Sequence, residues 1–172
     1  MQPFNFNANF TNVTAASGGA TGPLPTGYYK VTIADCYAKV ASTGLNQAEF
    51  KIKIAEGDWS GVPRTTRINL PTGPGSKVLA FWRALIESVG VDPQQLNSAG
   101  NVAISADMCK GKSAYIHYTE GDKDAGIWDK TNFITPSTYA AGVAADASAD
   151  AALGSAPRGA TVLPTPATGN GG

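Results

Sequence analysis

Lys51 and Lys53 stand two residues apart in the alternating run Phe50-Lys51-Ile52-Lys53-Ile54, and Thr65 and Arg67 stand two apart in the run that follows. In an extended chain successive side chains point to opposite faces, so each pair shares a face. If the two runs pair as strands, Lys51, Lys53, Thr65 and Arg67 form one cluster with Glu49 as the only nearby acid. A polyanion crossing that face would meet three cations, helped by Lys39, Arg64 and Lys112. Contacts of this kind to phosphates give sequence-independent, salt-sensitive affinity. Tyr28, Trp59, Tyr115 and Trp128 lie at the margins of the predicted strands, where aromatic rings can stack bases without regard to sequence. The six cations and four aromatic residues are the candidate nucleic-acid-binding set. Cations together with stacking platforms make the chemistry a single-strand binder needs.

Each of these residues also has a plainer reading. Lysines that alternate with apolar residues describe any solvated strand face. Trp59, at a loop tip flanked by glycines, either stacks on a ligand or packs back on the domain. Tyr115 is open in the same way. Trp128, entering the last predicted strand, is expected in the core, as is Trp82 on the apolar stripe of the predicted helix. His117 is read as an ordinary strand residue.

No enzyme can be assembled from these parts. A nucleophile needs a partner base and a positioning group. The chain has one histidine, no Gly-x-Ser-x-Gly, and cysteines only in apolar surroundings. The segment Thr72-Gly73-Pro74-Gly75-Ser76-Lys77 lacks the spacing of a phosphate-binding loop, and Pro74 has no N–H to donate. Glu120, Asp122, Asp124 and Asp129 do not have the spacing of a calcium-binding hand and read as a solvated acidic loop. Neither a cofactor nor a metal is expected. Cys36 and Cys109 form no metal-ligand pattern and are expected to be buried free thiols.

The elements that must position the cluster follow from periodicity. Strands are predicted over 28–37, with Tyr29, Val31 and Ile33 on one face; over 49–55, with Phe50, Ile52 and Ile54 inward; and over 63–70, with Thr66, Ile68 and Leu70 inward. A helix is predicted from Ser76, read as its N-cap, to about Val89. Its stripe is Val78, Leu79, Trp82, Leu85, Ile86 and Val89, and Gly90 ends it. The stretch 91–108 is less regular, with a short helical turn at Asp92-Pro93-Gln94-Gln95-Leu96. Strands over 113–119 and 127–134 complete the set. The order strand-strand-strand-helix-strand-strand is that of the OB-fold, a five-stranded partly open barrel.

Three segments result: an extended arm and linker at 1–24, the barrel domain at 25–136, and a low-complexity tail at 137–172. The arm is uncharged and alternates aromatic and polar residues in Phe4-Asn5-Phe6-Asn7-Ala8-Asn9-Phe10. That pattern suits either docking on a sheet edge or a flexible arm. The run 17–23 reads as a linker. The tail, rich in Ala, Gly, Pro, Ser and Thr, is expected to be disordered, with 140–153 able to form helix transiently. The 172 residues carry 13 basic and 13 acidic side chains, so the chain lacks the basic footprint of a duplex-coating protein. There is no secretory signal, and no apolar run long enough to span a bilayer.

The run Leu24-Pro25-x-Gly27-x-Tyr29-x-Val31-x-Ile33 resembles the first strand of a family of small phage proteins, long catalogued as of unknown function and regarded as single-stranded DNA-binding proteins. The resemblance continues through Phe50-x-Ile52-x-Ile54-x-Glu56-Gly57, Gly61 and Leu85-x-x-x-x-Gly90. It closes with Lys110-Gly111-Lys112 and Asn132-x-Ile134-x-Pro136. It covers most of residues 4–136 and rests on glycines and core positions, so it assigns no individual binding residue. It implies an OB-fold and a role in phage DNA replication or recombination, in the host cytoplasm, with single-stranded DNA and replication or recombination proteins as partners and homo-oligomers possible. One departure is the end of the chain, Thr168-Gly169-Asn170-Gly171-Gly172, which lacks the acidic, aromatic-tipped tail of many replicative single-strand binders. The rival expectation is a virion structural or decoration subunit that clamps its neighbours through the terminal arms. A third is a barrel that binds protein or carbohydrate.

Overall fold

The long alternating run that begins at Gly27 becomes the central strand of a sheet. In the computed structural model, which describes residues 1–13 and 24–152, the strands are β1 (Asn5–Asn9), β2 (Gly27–Val40), β3 (Asn46–Ile54), β4 (Pro63–Asn69), β5 (Asn101–Ser105), β6 (Ser113–Thr119) and β7 (Lys130–Phe133). The helices are α1 (Leu79–Ser88), α2 (Pro93–Ser98) and α3 (Pro136–Ala152), with a 3-10 turn at Ala106–Met108. Five strands form one antiparallel sheet in the order β4-β3-β2-β6-β7. β2 pairs with β6 through its first half, Gly27 to Thr32, and with β3 from Val31 to Val40. The register shifts between Ile33 and Asp35. A bulge there bends the strand and increases its twist, which lets one strand serve two neighbours. The outer strands β4 and β7 come together where Thr66 Oγ1 donates to the Thr131 carbonyl, so the sheet is nearly closed.

Inside lie the residues that alternation selected. Val31, Ile33, Phe50, Ile52, Ile54, Ala114, Ile116 and Tyr118 are at most 2% exposed. Trp82 of α1 is fully buried, its ring edge-on to Phe4, Phe6 and Phe50, and its indole N–H donates to the Asn69 carbonyl at 2.8 Å. Gly90 ends α1 at φ +106, a conformation that suits only a residue without Cβ.

The N-terminal arm docks. β1 pairs with β5 in a second, two-stranded sheet, and Phe4 and Phe10 are buried. Arg83 of α1 fixes its far end by donating to the Phe10 carbonyl, and also bonds Asn97 and Glu87. The linker expected at 17–23 lies outside the described residues.

Four expectations about elements are corrected. Ser76 is not the N-cap of α1. The Gly73 carbonyl accepts the Ser76 N–H in a turn, and the helix begins at Leu79 with Val78 in the capping place and no side-chain cap. The stretch 91–108 contains a strand, β5, which needed a partner from the start of the chain, β1, to form. The last barrel strand begins at Lys130 rather than Ile127, because the Asp122 carbonyl accepts the Ile127 N–H and holds 122–127 in the loop. The expected disorder of 137–172 fails over its first part, which is helix α3. Thr135 caps it by accepting the Thr138 N–H at 3.1 Å, Pro136 opens it, and the alanines that follow favour helix. Among the described residues no helix is long and apolar enough to cross a membrane.

Candidate nucleic-acid interface

The pairing registers decide which charges meet. Tyr37, Glu49 and Arg67 face one another across β2, β3 and β4, and Asp35, Lys51 and Thr65 form the next rank. Glu49 is the hub. Its Oε2 accepts from Arg67 Nε at 2.6 Å and Lys39 Nζ at 3.1 Å, and its Oε1 from Tyr37 Oη at 2.6 Å and Lys51 Nζ at 2.9 Å. The Glu49 side chain is 2% exposed, whereas Lys39, Lys51 and Arg67 remain about half exposed. Burial alone would raise the Glu49 carboxyl. The hydrogen bonds from Tyr37, Lys51, Arg67 and Lys39 outweigh it and hold the group far below the ordinary carboxylate range. The hydrogen bond to Glu49 raises the Lys51 ammonium.

The hub cancels one charge of three, so Lys39, Lys51 and Arg67 keep a net positive charge around it. Exposed Lys53 extends the face beyond Lys51, and Lys51 also bonds Thr65 at 3.2 Å. Lys110 reaches the same surface through Asp35, at 2.8 Å. Thus Lys39, Lys51, Lys53 and Arg67 lie together as the sequence predicts. Glu49 as their anchor, Tyr37 and Lys110 were not foreseen. The alternation places Glu49 on that face, but only the register reveals that four donors converge on it.

Two predicted cations lie elsewhere. Arg64 stands opposite Ile52 on the inward side, with its guanidinium 5.5 Å from the centre of the buried Tyr118 ring, so it is not part of the open face. Lys112 is exposed in the turn entering β6, where its carbonyl accepts the Ile33 N–H.

The aromatic residues divide unexpectedly. Trp128, expected in the core, is 78% exposed in the loop between β6 and β7, beside Ile127 at 51%. It falls outside β7 because the strand starts two residues later. Trp59 is half-buried and packs against the core. Tyr28 and Tyr115 do lie on the outer face, yet both are covered. Tyr28 stacks on His117 at 4.4 Å and sits under Gly142 of α3, while Tyr115 stacks on Tyr139 of α3 at 4.4 Å. Burial lowers the His117 imidazole, with Asp146 opposing. The sequence carried a signal for the helix, a cap residue and a proline opening an alanine-rich run, but none for where it docks.

In the acidic loop Asp122 accepts from the Asp124 and Ala125 N–H groups at 3.0 and 3.1 Å, which makes it a turn-forming residue. Cys36 and Cys109 are free and buried, and burial pushes their thiols up to about 11 and about 12. At neutral pH such thiols are poor nucleophiles.

No family model matches the chain, and no curated protein matches it either.

Proposed function

We propose that this protein is a non-enzymatic single-stranded DNA-binding protein of the OB-fold class, acting in phage DNA replication or recombination in the host cytoplasm. The observation that carries the reading is the open outer face of β2, β3 and β4, where Lys39, Lys51, Lys53, Arg67 and Lys110 outnumber the two carboxylates among them, Glu49 and Asp35. The sheet order β4-β3-β2-β6-β7 supports the OB assignment. In that fold the second and third barrel strands, with the loops between strands one and two and between four and five, hold oligonucleotides. Here the corresponding strands are β3 and β4, and the latter loop carries exposed Trp128. The resemblance to the phage family points the same way.

Salt-sensitive affinity would come from the cations and sequence tolerance from stacking, with Trp128 the foremost stacking residue. The virion-clamp reading draws less support, because Phe4 and Phe10 are buried within the chain's own core and α3 lies on its own sheet. The test is a titration of tryptophan emission with oligo-dT and with a matched duplex at several salt concentrations. Quenching that is stronger with the single strand and declines with salt is expected. No response to either polymer at low salt would defeat the reading.

A further inference from the structure

Tyr28, Lys30, Tyr115 and His117 occupy one outer patch, since Tyr28 pairs with His117 and Lys30 with Tyr115 across β2 and β6. The patch continues along β2 into the cationic face, because Thr32 of the same strand pairs with Lys53. One surface therefore has cations at one end and aromatic rings at the other. The cationic end is open and the aromatic end is roofed by α3.

The roof lies on the surface. Of the described side-chain positions of α3, Gly142 alone is buried, and Val143 is 42% exposed. Its aromatic contacts are the Tyr139 ring on Tyr115 and the closeness of the backbone at Gly142 to the Tyr28 ring, and beside them Tyr139 meets Glu56 and Asp146 acts on His117. The helix carries Asp146 and Asp150 and no basic residue. Asp146 lines a cleft of about 350 Å³ together with Tyr28, Lys30, Trp59 and Tyr139. So α3 places an aromatic ring on Tyr115 and one carboxylate, Asp146, in the cleft that Lys30 lines, where Lys30 is also paired with Glu56 at 3.6 Å; a ring and an anion are the two kinds of contact a single strand would make there.

Building on the single-strand reading, we infer that α3 is an intramolecular cover that competes with single-stranded DNA for the Tyr28–Tyr115 platform. DNA that engages the cationic face extends onto the platform when α3 lifts, and the binding-competent population is set by how firmly Tyr139 and Gly142 hold the helix. An intramolecular competitor lowers apparent affinity by the fraction of molecules in which the site is covered.

The experiment uses the full chain and two variants, Tyr139→Ala and Gly142→Ala. The second adds a Cβ that meets the Tyr28 ring, while alanine favours helix over glycine. It therefore undocks α3 without weakening the helix itself. Anisotropy of a labelled oligo-dT should show affinity raised roughly three- to tenfold in both variants. Hydrogen exchange over 136–152 should speed up when oligo-dT binds the unaltered chain. Binding by the variants alone would also support the cover. Equal affinity in all three proteins, with α3 amides still protected in the complex, would overturn the cover and leave single-strand binding intact. Weaker binding by the variants would make α3 part of the site rather than its competitor. No binding by any of the three would overturn both the cover and the reading on which it rests.

Discussion

Glu49 shows how one carboxylate organises a surface. It is buried at the centre of Tyr37, Lys39, Lys51 and Arg67, and removing its charge leaves those donors crowded. Glu49→Gln should cost about 1–3 kcal/mol in urea unfolding. The sign of the pH effect follows from the direction of the shift. The folded carboxyl titrates well below its ordinary value of 4.5, so its stabilisation is complete above that value and is lost as pH falls below it. The glutamine variant should therefore show a shallower fall in Tm between pH ~5 and ~3 than the unaltered chain. An equal fall would place the acid sensitivity elsewhere. The two outer tryptophans should separate cleanly. Trp128→Ala should leave stability within ~0.5 kcal/mol and weaken oligo-dT binding by about 1–3 kcal/mol. Trp59→Ala should instead destabilise by about 1–3 kcal/mol, because the ring packs on the core. Unchanged oligo-dT affinity in the Trp128 variant would remove that residue from the interface.

At the scale of elements, the N-terminal strand is part of the folded unit. Phe4 sits against Phe50 and Trp82, and Phe10 is fully buried. Phe10→Ala should cost about 3–5 kcal/mol, the usual range for truncating a buried aromatic ring. A variant with undiminished stability would show the arm to be an appendage. The strands β2, β3, β4 and β6 were legible from alternation because each has one buried face, and β6 matches its predicted span residue for residue. β5 was not legible. Asn101–Ser105 has an apolar pattern too short to stand out, and it becomes a strand only because β1 pairs with it. The start of α1 was misplaced because the chain from 73 to 79 runs as two successive turns, Ser76 N–H to the Gly73 carbonyl and Leu79 N–H to the Ser76 carbonyl, before the helical hydrogen bonds begin.

For the whole molecule, zero net charge conceals a polar division of surfaces. Lys39, Lys51, Lys53, Arg67 and Lys110 gather on one face around Glu49 and Asp35 alone, while other acids sit on α3, at the far end of that surface, and in the loop between β6 and β7. Electrostatic attraction to a polyanion depends on that local field and not on the total. Charge reversal of Lys51 and Lys53 should lower oligo-dT affinity and reduce the slope of log affinity against log salt by about one to two. A slope equal to that of the unaltered chain would locate the phosphate contacts on other cations.

Alternation and composition by themselves determined the mainly β class, the inward residues of β2, β3 and β6 and the clustering of Lys51, Lys53 and Arg67, because side-chain direction along a strand is a local property with a period of two. Only the tertiary structure decided that Glu49 gathers those cations, that Arg64 turns inward, that Trp128 stands in solvent and that α3 covers Tyr28 and Tyr115. Each of these depends on strand register, on where a strand begins, or on which distant segment docks. These are set by packing energies summed over residues far apart in the chain, and no local pattern encodes them.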